Sequence, residues 1–210
     1  MIKNDIQNFV FSSTAAVYGM PKYLPIDEMH PLAPINFYGF TKLQIEKILK
    51  WYSKLKGIYF GSLRYFNAGG YDIKRRINGL EKKPENLLPI IMETVSGVRN
   101  SMNVYGNDYN TPDGTGIRDY IHVNDLAVAH IKTLDFIIER KDNLIINLSS
   151  GKGYSVLNII QSTQEITGQP VNYKIVDRRP GDAAELVAIS KLAKEILGWE
   201  CKYSDIETII

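Results

Sequence analysis

The first third of the chain orders its apolar runs in a way that few folds accept. Asn8-Phe9-Val10-Phe11 is a short apolar run ending in Ser12-Ser13-Thr14, which reads as a buried strand opening into a loop. Pro31 and Pro34 punctuate that loop. From Asn36 to Lys56 the residues Ile45, Ile48, Leu49, Tyr52 and Leu55 fall at helical spacing, and Gly57 is a natural stop. Ile58 to Phe66 then reads as a second strand. Strand, loop, helix, strand is a βαβ crossover, the unit of a parallel, doubly wound sheet. The predicted class is therefore α/β.

The remainder continues the alternation. Residues 68–86 are polar and turn-rich, and Leu87 to Val98 reads as a helix with Pro89 tolerated in its first turn. Met102 to Tyr105 is a short strand, Gly106 to Gly116 a polar loop, and Asp119 to Val123 another strand. A helix is expected from Asn124, as N-cap, to Arg140, followed by a strand over Asn143–Leu148. Ser155 is placed to cap a helix ending at Gly168, Val171–Val176 reads as a strand, and Ser190 caps a last helix closed by Gly198. No G-x-G-x-x-G or G-x-x-G-x-x-G occurs in the 210 residues. Gly151-Lys-Gly153 lacks the third glycine and reads as a turn.

Composition narrows the function classes. A net charge of +2 gives no reason to expect nucleic acid or an anionic membrane as partner. Lys74-Arg75-Arg76 reads as solvated loop. One cysteine, Cys201, allows neither an internal disulfide nor a multi-cysteine metal site, and His30, His122 and His130 are scattered, so no metal is expected. No apolar run approaches the ~20 residues that span a bilayer. The polar start at Met1-Ile-Lys-Asn is unlike a signal peptide, and a cytoplasmic location is expected.

Chemistry enters at Tyr38 and Lys42. Four apart in the first helix, they project from one face. A phenol titrates near about 10 and is a poor base at neutral pH, but an adjacent ammonium favours the phenolate. Tyr38 is thereby a candidate acid–base group. Thr14, which both donates and accepts, is a candidate bridge to a substrate hydroxyl. Spacing alone does not decide, because Tyr52 and Lys56 repeat the pattern in the same helix. Tyr38 follows a Pro-rich loop at the helix start, whereas Tyr52 lies on the apolar stripe and is expected in the core.

Phe11-Ser-Ser-Thr-Ala-Ala-Val-Tyr-Gly19, Tyr38-Gly-Phe-Thr-Lys42 and Leu63-Arg-Tyr-Phe-Asn67 resemble the extended short-chain dehydrogenase/reductases that act on nucleotide sugars. Gly106-Asn-Asp-Tyr, continuing through Arg118-Asp-Tyr-Ile-His-Val123, resembles the UDP-glucose 4-epimerases in particular, with Arg178-Arg-Pro-Gly-Asp182 and Leu197-Gly-Trp199 in agreement. Dehydratases of that family carry an Asp-Glu pair directly after the strand-end threonine; here Thr14 is followed by Ala15 and Ala16.

The resemblance implies a Rossmann-like doubly wound sheet whose N-terminal half is missing, with a smaller C-terminal α/β substrate-binding domain. Residues 1–68 would be the C-terminal part of the NAD-binding domain. Residues 69–210 would mainly bind the UDP-sugar, with 102–140 partly returning to the sheet. It implies NAD as cofactor and interconversion of UDP-glucose and UDP-galactose by transient oxidation at C4. Tyr38, Lys42 and Thr14 would serve chemistry and cofactor, with Tyr65 and Phe66 beside the nicotinamide. Asn67, Asn86, Leu87, Asn103, Tyr105, Arg118, Arg179 and Asp182 would hold the nucleotide, whose anchoring must be strong while the sugar turns. Leu186 falls where side-chain size governs acceptance of N-acetylated sugars. Two simpler roles stand beside these: Asn86 as a helix N-cap, and Arg118 as a surface ion pair with Asp119. Other UDP-sugar 4-epimerases (uronic acid, pentose or N-acetylhexosamine) and a catalytically silent fragment remain alternatives. The resemblance also implies a homodimer, formed through helices near Tyr38. Without a glycine turn, the chain alone is expected to bind NAD poorly and to be inactive.

Overall fold

β1 (Asn8–Ser12) and β2 (Tyr59–Tyr65) lie parallel, with Asn8 opposite Tyr59 and Ser12 opposite Leu63. This pairing comes from a computed structural model that describes residues 2–77, 79 and 81–210. Met1 lies outside the described residues, as do Asn78 and Leu80 of the stretch expected to be turn-rich. The crossover between the two strands is α1 (Phe37–Lys56). Its start is fixed by Asn36, whose side chain accepts from the Gly39 amide at 2.8 Å. Its end is fixed by Gly57 in the left-handed region at φ 66°, with Lys54 and Lys56 in the last turn facing the negative end of the helix dipole.

The third strand of this sheet is β6 (Leu144–Leu148), parallel to β2, so the order is β1-β2-β6 and β1 forms an edge. α3 (Val123–Arg140) packs on β1 and β2 and leads into β6. Close packing is possible because β2 carries Gly61. A Cβ there would stand 2.0 Å from Thr133 Cγ2 of α3. Leu63, Ile121, Ile146, Leu148 and Trp199 form one continuous core beneath the sheet.

A second layer holds its own core around Leu88, Ile91, Val104, Ile159 and Ile206. Here α2 (Leu87–Val95) and α4 (Val156–Thr167) pack beside β4 (Met102–Tyr105), which pairs in parallel with β8 (Tyr173–Val176). β5 (Ile117–His122) links the layers. It pairs with β3 (Asn67–Gly69), β7 (Gly153–Ser155) and β9 (Glu185–Leu186). The chain closes with α5 (Lys191–Leu197) and α6 (Ile206–Ile209).

Several local expectations are corrected. The cap of α3 is His122, whose Nδ1 accepts from the Asn124 amide at 3.0 Å. Asn124 instead bonds Asp72 Oδ1 and the Ile73 amide. α2 ends at Val95, short of Val98. Ser190 makes no side-chain cap to α5; its hydroxyl exchanges hydrogen bonds with the Ser149 backbone. Tyr52 is not core: it is 44% exposed, and Ile48 and Leu55 of the same stripe are exposed with it. Only Gly39, Leu43, Glu46 and Leu49 of α1 are buried, because the face that meets the sheet is rotated from the stripe toward the Tyr38–Lys42 side.

Candidate active site

Two constellations emerge, one at the carboxyl end of β1 and one in the cleft bounded by β4, β5 and α2. At the first, Thr14 follows β1 in extended backbone and starts a 3₁₀ turn at Ala15–Val17. Its Oγ1 accepts from the Ala16 amide at 3.2 Å, which leaves its hydroxyl hydrogen free to donate. The first turn of α1 approaches this point closely. A Cβ on Gly39 would lie 2.4 Å from the Ala16 carbonyl oxygen, so only glycine lets the helix start here.

Tyr38 and Lys42 face each other as the spacing predicts. The Lys42 ammonium stands 5.6 Å from the Tyr38 ring centroid and 5.1 Å from that of Phe11, and donates to the Ser12 carbonyl at 2.9 Å. One of its three hydrogens is thus spent on the strand end and two are left. Tyr38 is half exposed. Ser12 Oγ lies 2.9 Å from His130 Nε2, and His130 Nδ1 lies 2.7 Å from the Leu126 carbonyl. A carbonyl only accepts, so Nδ1 donates to Leu126, and Nε2 is left to pair with the Ser12 hydroxyl. That bond ties α3 to the strand end which Lys42 also grips.

Beneath them lies a buried network that the sequence reading missed. Glu46, one turn beyond Lys42 on the same face, receives Arg64 Nη2 at 2.6 Å and Arg64 Nε at 3.0 Å, and accepts from Ser13 Oγ at 2.6 Å. Arg64 Nη1 also donates to Tyr18 Oη, which donates to Asn147 Oδ1 at 2.6 Å. Burial alone would raise the Glu46 carboxyl, but the Arg64 hydrogen bonds and charge, with Ser13 and Ser62, hold it below the usual carboxylate range. The ends of β1, β2 and β6 and the face of α1 that bears Tyr38 are thereby locked together. A signal existed: an arginine inside an otherwise apolar strand requires a buried partner.

The second constellation is a cleft of about 360 Å³. Asn67, Asn86, Leu87, Asn103, Tyr105, Arg118, Arg179 and Asp182 all line it. Leu186 does not; it sits opposite Arg118 in register, packed with Phe66 against the Ala15–Tyr18 cluster between the two constellations. Tyr65 lies at the sheet, its ring 6.3 Å from that of His130. Asn86 is the N-cap of α2 by backbone but makes no side-chain cap bond, so its amide is free to face the cleft. Asn67 is spent in part on the fold, donating to the Asp119 carbonyl at 3.0 Å.

Arg118 does not pair with Asp119. Neighbours on a strand point to opposite faces, and Asp119 is fully buried, accepting from Ser149, Ser150 and Gly151. Arg118 instead meets Asp182 at 3.7 Å. The Arg179 guanidinium lies over the Tyr105 ring, 3.8 Å from its centroid, and with Asn103 holds that phenol below its ordinary value. Arg178 pairs with Asp108 and covers Tyr109. Glu85, Arg99, Ser101 and Tyr109 also line the cleft and were not anticipated.

A protein-family model described as GDP-mannose 4,6 dehydratase matches residues 2–210. The chain belongs to this family. Within the GDP-mannose 4,6 dehydratase family it is similar to a UDP-glucose 4-epimerase of Halalkalibacterium halodurans, with 44% identity over all of this chain and 63% of that protein. A Brucella ovis UDP-glucose 4-epimerase solved in complex with NAD superposes with a TM-score of 0.93 at 45% identity, over 97% of this chain and 63% of that one. A Bifidobacterium longum UDP-glucose 4-epimerase in complex with NAD+ and UDP gives 0.87 at 38% identity, over 99% and 62%. The chain thus spans under two thirds of the length of these relatives.

Among the described residues no cluster of His, Cys, Asp and Glu is placed to hold a metal, and no helix is long and apolar enough to cross a membrane.

Proposed function

We propose that this protein takes part in the interconversion of UDP-glucose and UDP-galactose, with Tyr38 as acid–base group and NAD as the redox cofactor. The observation that carries the reading is the convergence of eight residues, drawn from five separate segments of the chain, on one cleft, in a chain that also holds a Tyr38–Lys42 pair at the end of β1. Two arginines and three asparagines suit a nucleoside diphosphate, since guanidinium groups fork onto phosphate oxygens and amides match a base or ribose. The relatives named UDP-glucose 4-epimerase, and the Bifidobacterium structure holding UDP, support the same substrate class.

The donor set fits the nicotinamide end of NAD: Lys42 keeps two free hydrogens for ribose hydroxyls, and Tyr65 and Phe66 offer half-buried rings nearby. The 210 residues contain no glycine turn for its pyrophosphate. When bound, NAD supplies a reversible hydride acceptor for the sugar carbon. The chain's own part is to orient the sugar 4-hydroxyl with Thr14, to take and return its proton at Tyr38 Oη, and to keep the nucleotide fixed while the hexose turns.

The test is conversion of UDP-galactose to UDP-glucose, with UDP-galacturonate as comparison, by these 210 residues joined in front to the glycine-turn half of a relative. Conversion of the galacturonate alone would replace the hexose reading. For the cleft, Arg118→Met and Arg179→Met are each expected to weaken UDP binding roughly 10- to 100-fold by calorimetry. Unchanged affinity in both would remove the cleft from the proposal.

We also propose self-association through α1. Ile48, Trp51, Tyr52 and Leu55 leave an apolar face exposed on one helix, more than scattered surface residues explain. Sedimentation should show a dimer that Trp51→Glu dissociates; a monomer at high concentration would contradict it.

A further inference from the structure

One residue lining the cleft, Tyr109, carries a hydroxyl that is unpaired among the described residues. Tyr109 is 6% exposed, and its Oη is sealed from solvent without a hydrogen-bond partner among the described residues. Buried hydroxyls of native proteins are nearly always paired, and phenylalanine would fill the same space without the penalty. The ring is firmly placed. Its amide donates to the Gly114 carbonyl at 2.9 Å, and the Arg178 guanidinium covers it at 4.1 Å from the centroid while Arg178 is held by Asp108 at 2.6 Å.

The charges acting on the hydroxyl are Asp182 and Arg118 of the cleft and the Arg178–Asp108 pair that covers the ring. Burial pushes the Tyr109 phenol up, Asp182 and Asp108 add to this, and Arg118 and Arg178 oppose it. Arg118 and Asp182 meet only at 3.7 Å, a loose contact with no hydrogen bond, and Asp182 is 39% exposed. An anion reaching Arg118 competes with Asp182 directly.

We propose that Tyr109 is a further binding residue for a nucleoside diphosphate: its Oη donates to a phosphate oxygen once that phosphate has drawn Arg118 away from Asp182. The assignment rests on the nucleotide reading of the cleft. It explains why a tyrosine stands where the ligand-free fold has no use for its hydroxyl. The adjacent arginines then divide the work, Arg178 clamping the Tyr109 ring and Arg179 facing the cleft beside Tyr105.

The test is Tyr109→Phe in the 210-residue chain, followed by thermal unfolding without ligand and by calorimetric titration with UDP and with uridine. A gain of a few degrees in Tm without ligand is expected, since an unpaired buried hydroxyl is removed. UDP affinity should fall about tenfold, the worth of one hydrogen bond to a charged acceptor, with uridine affinity unchanged. UDP bound as tightly as by the parent overturns the proposal, and so does an equal loss for UDP and uridine, which would mean a distorted cleft. A parent chain that binds no UDP would sink the nucleotide reading itself, a different failure.

Discussion

Tyr38→Phe should cut UDP-galactose conversion by at least about 100-fold, while UDP affinity stays within about twofold. The two readouts separate because the residues that bind nucleotide are not those that move the proton. Tyr38 lies outside the cleft lined by Arg118 and Arg179, so removing one phenolic oxygen leaves that cleft intact. The lost function is specific: Lys42 remains 2.9 Å from the Ser12 carbonyl, and Thr14 still presents its hydroxyl, but no group is left to accept the sugar proton. A drop in affinity equal to the drop in turnover would mean that Tyr38 serves binding. Near-normal turnover would transfer the acid–base role elsewhere.

Glu46→Ala is expected to have the largest effect on stability, about 3–5 kcal/mol in urea unfolding. The carboxylate and Arg64 are 1% and 3% exposed, so truncation leaves a guanidinium uncompensated in the interior. The loss reaches the site because Glu46 fastens the helix that carries Tyr38 and Lys42 to Ser13 and to β2. Glu46→Leu combined with Arg64→Met should cost less than the sum of the single changes, since it leaves no orphaned charge. The pair also sets an acid limit. The folded carboxyl lies below its unfolded value of about 4.3, so its stabilisation is complete above that pH and is lost as pH falls through the folded value. Glu46→Gln should therefore flatten the acid limb of the stability profile. An unchanged limb would assign acid unfolding to other carboxylates.

These two expectations differ in how far the sequence foretold them. Tyr38 and Lys42 were legible because a helix places residues four apart on one face, and Asn36 and Gly57 marked the helix ends chemically. Glu46 continues that face, but a glutamate in a helix ordinarily reads as surface, and only the buried Arg64 across the sheet shows otherwise. Tyr52 was misplaced for a related reason: apolar spacing reports a stripe, and whether the stripe meets the sheet depends on where Gly39 lets the helix touch Ala16. β3 and β9, of three and two residues, are too short to carry a period at all.

The cleft was legible only through motif resemblance. Asn67, Tyr105, Arg118 and Arg179 are separated by more than 100 residues end to end, and no local pattern brings them together. Parallel pairing does so: Asn67 stands opposite Tyr120, Arg118 opposite Leu186, and Tyr105 opposite Val176. Tyr109 escaped because its anomaly, a hydroxyl without a partner, exists only in three dimensions.

The most direct test of the account is a crystal structure of the chain with UDP-glucose bound. The diphosphate should lie against Arg118 and Arg179, with the base and ribose side near Asn86 and Tyr105 and the hexose directed toward Thr14 and Tyr38. A nucleotide bound in that cleft with its sugar turned away from Tyr38, or bound elsewhere on the molecule, would contradict it.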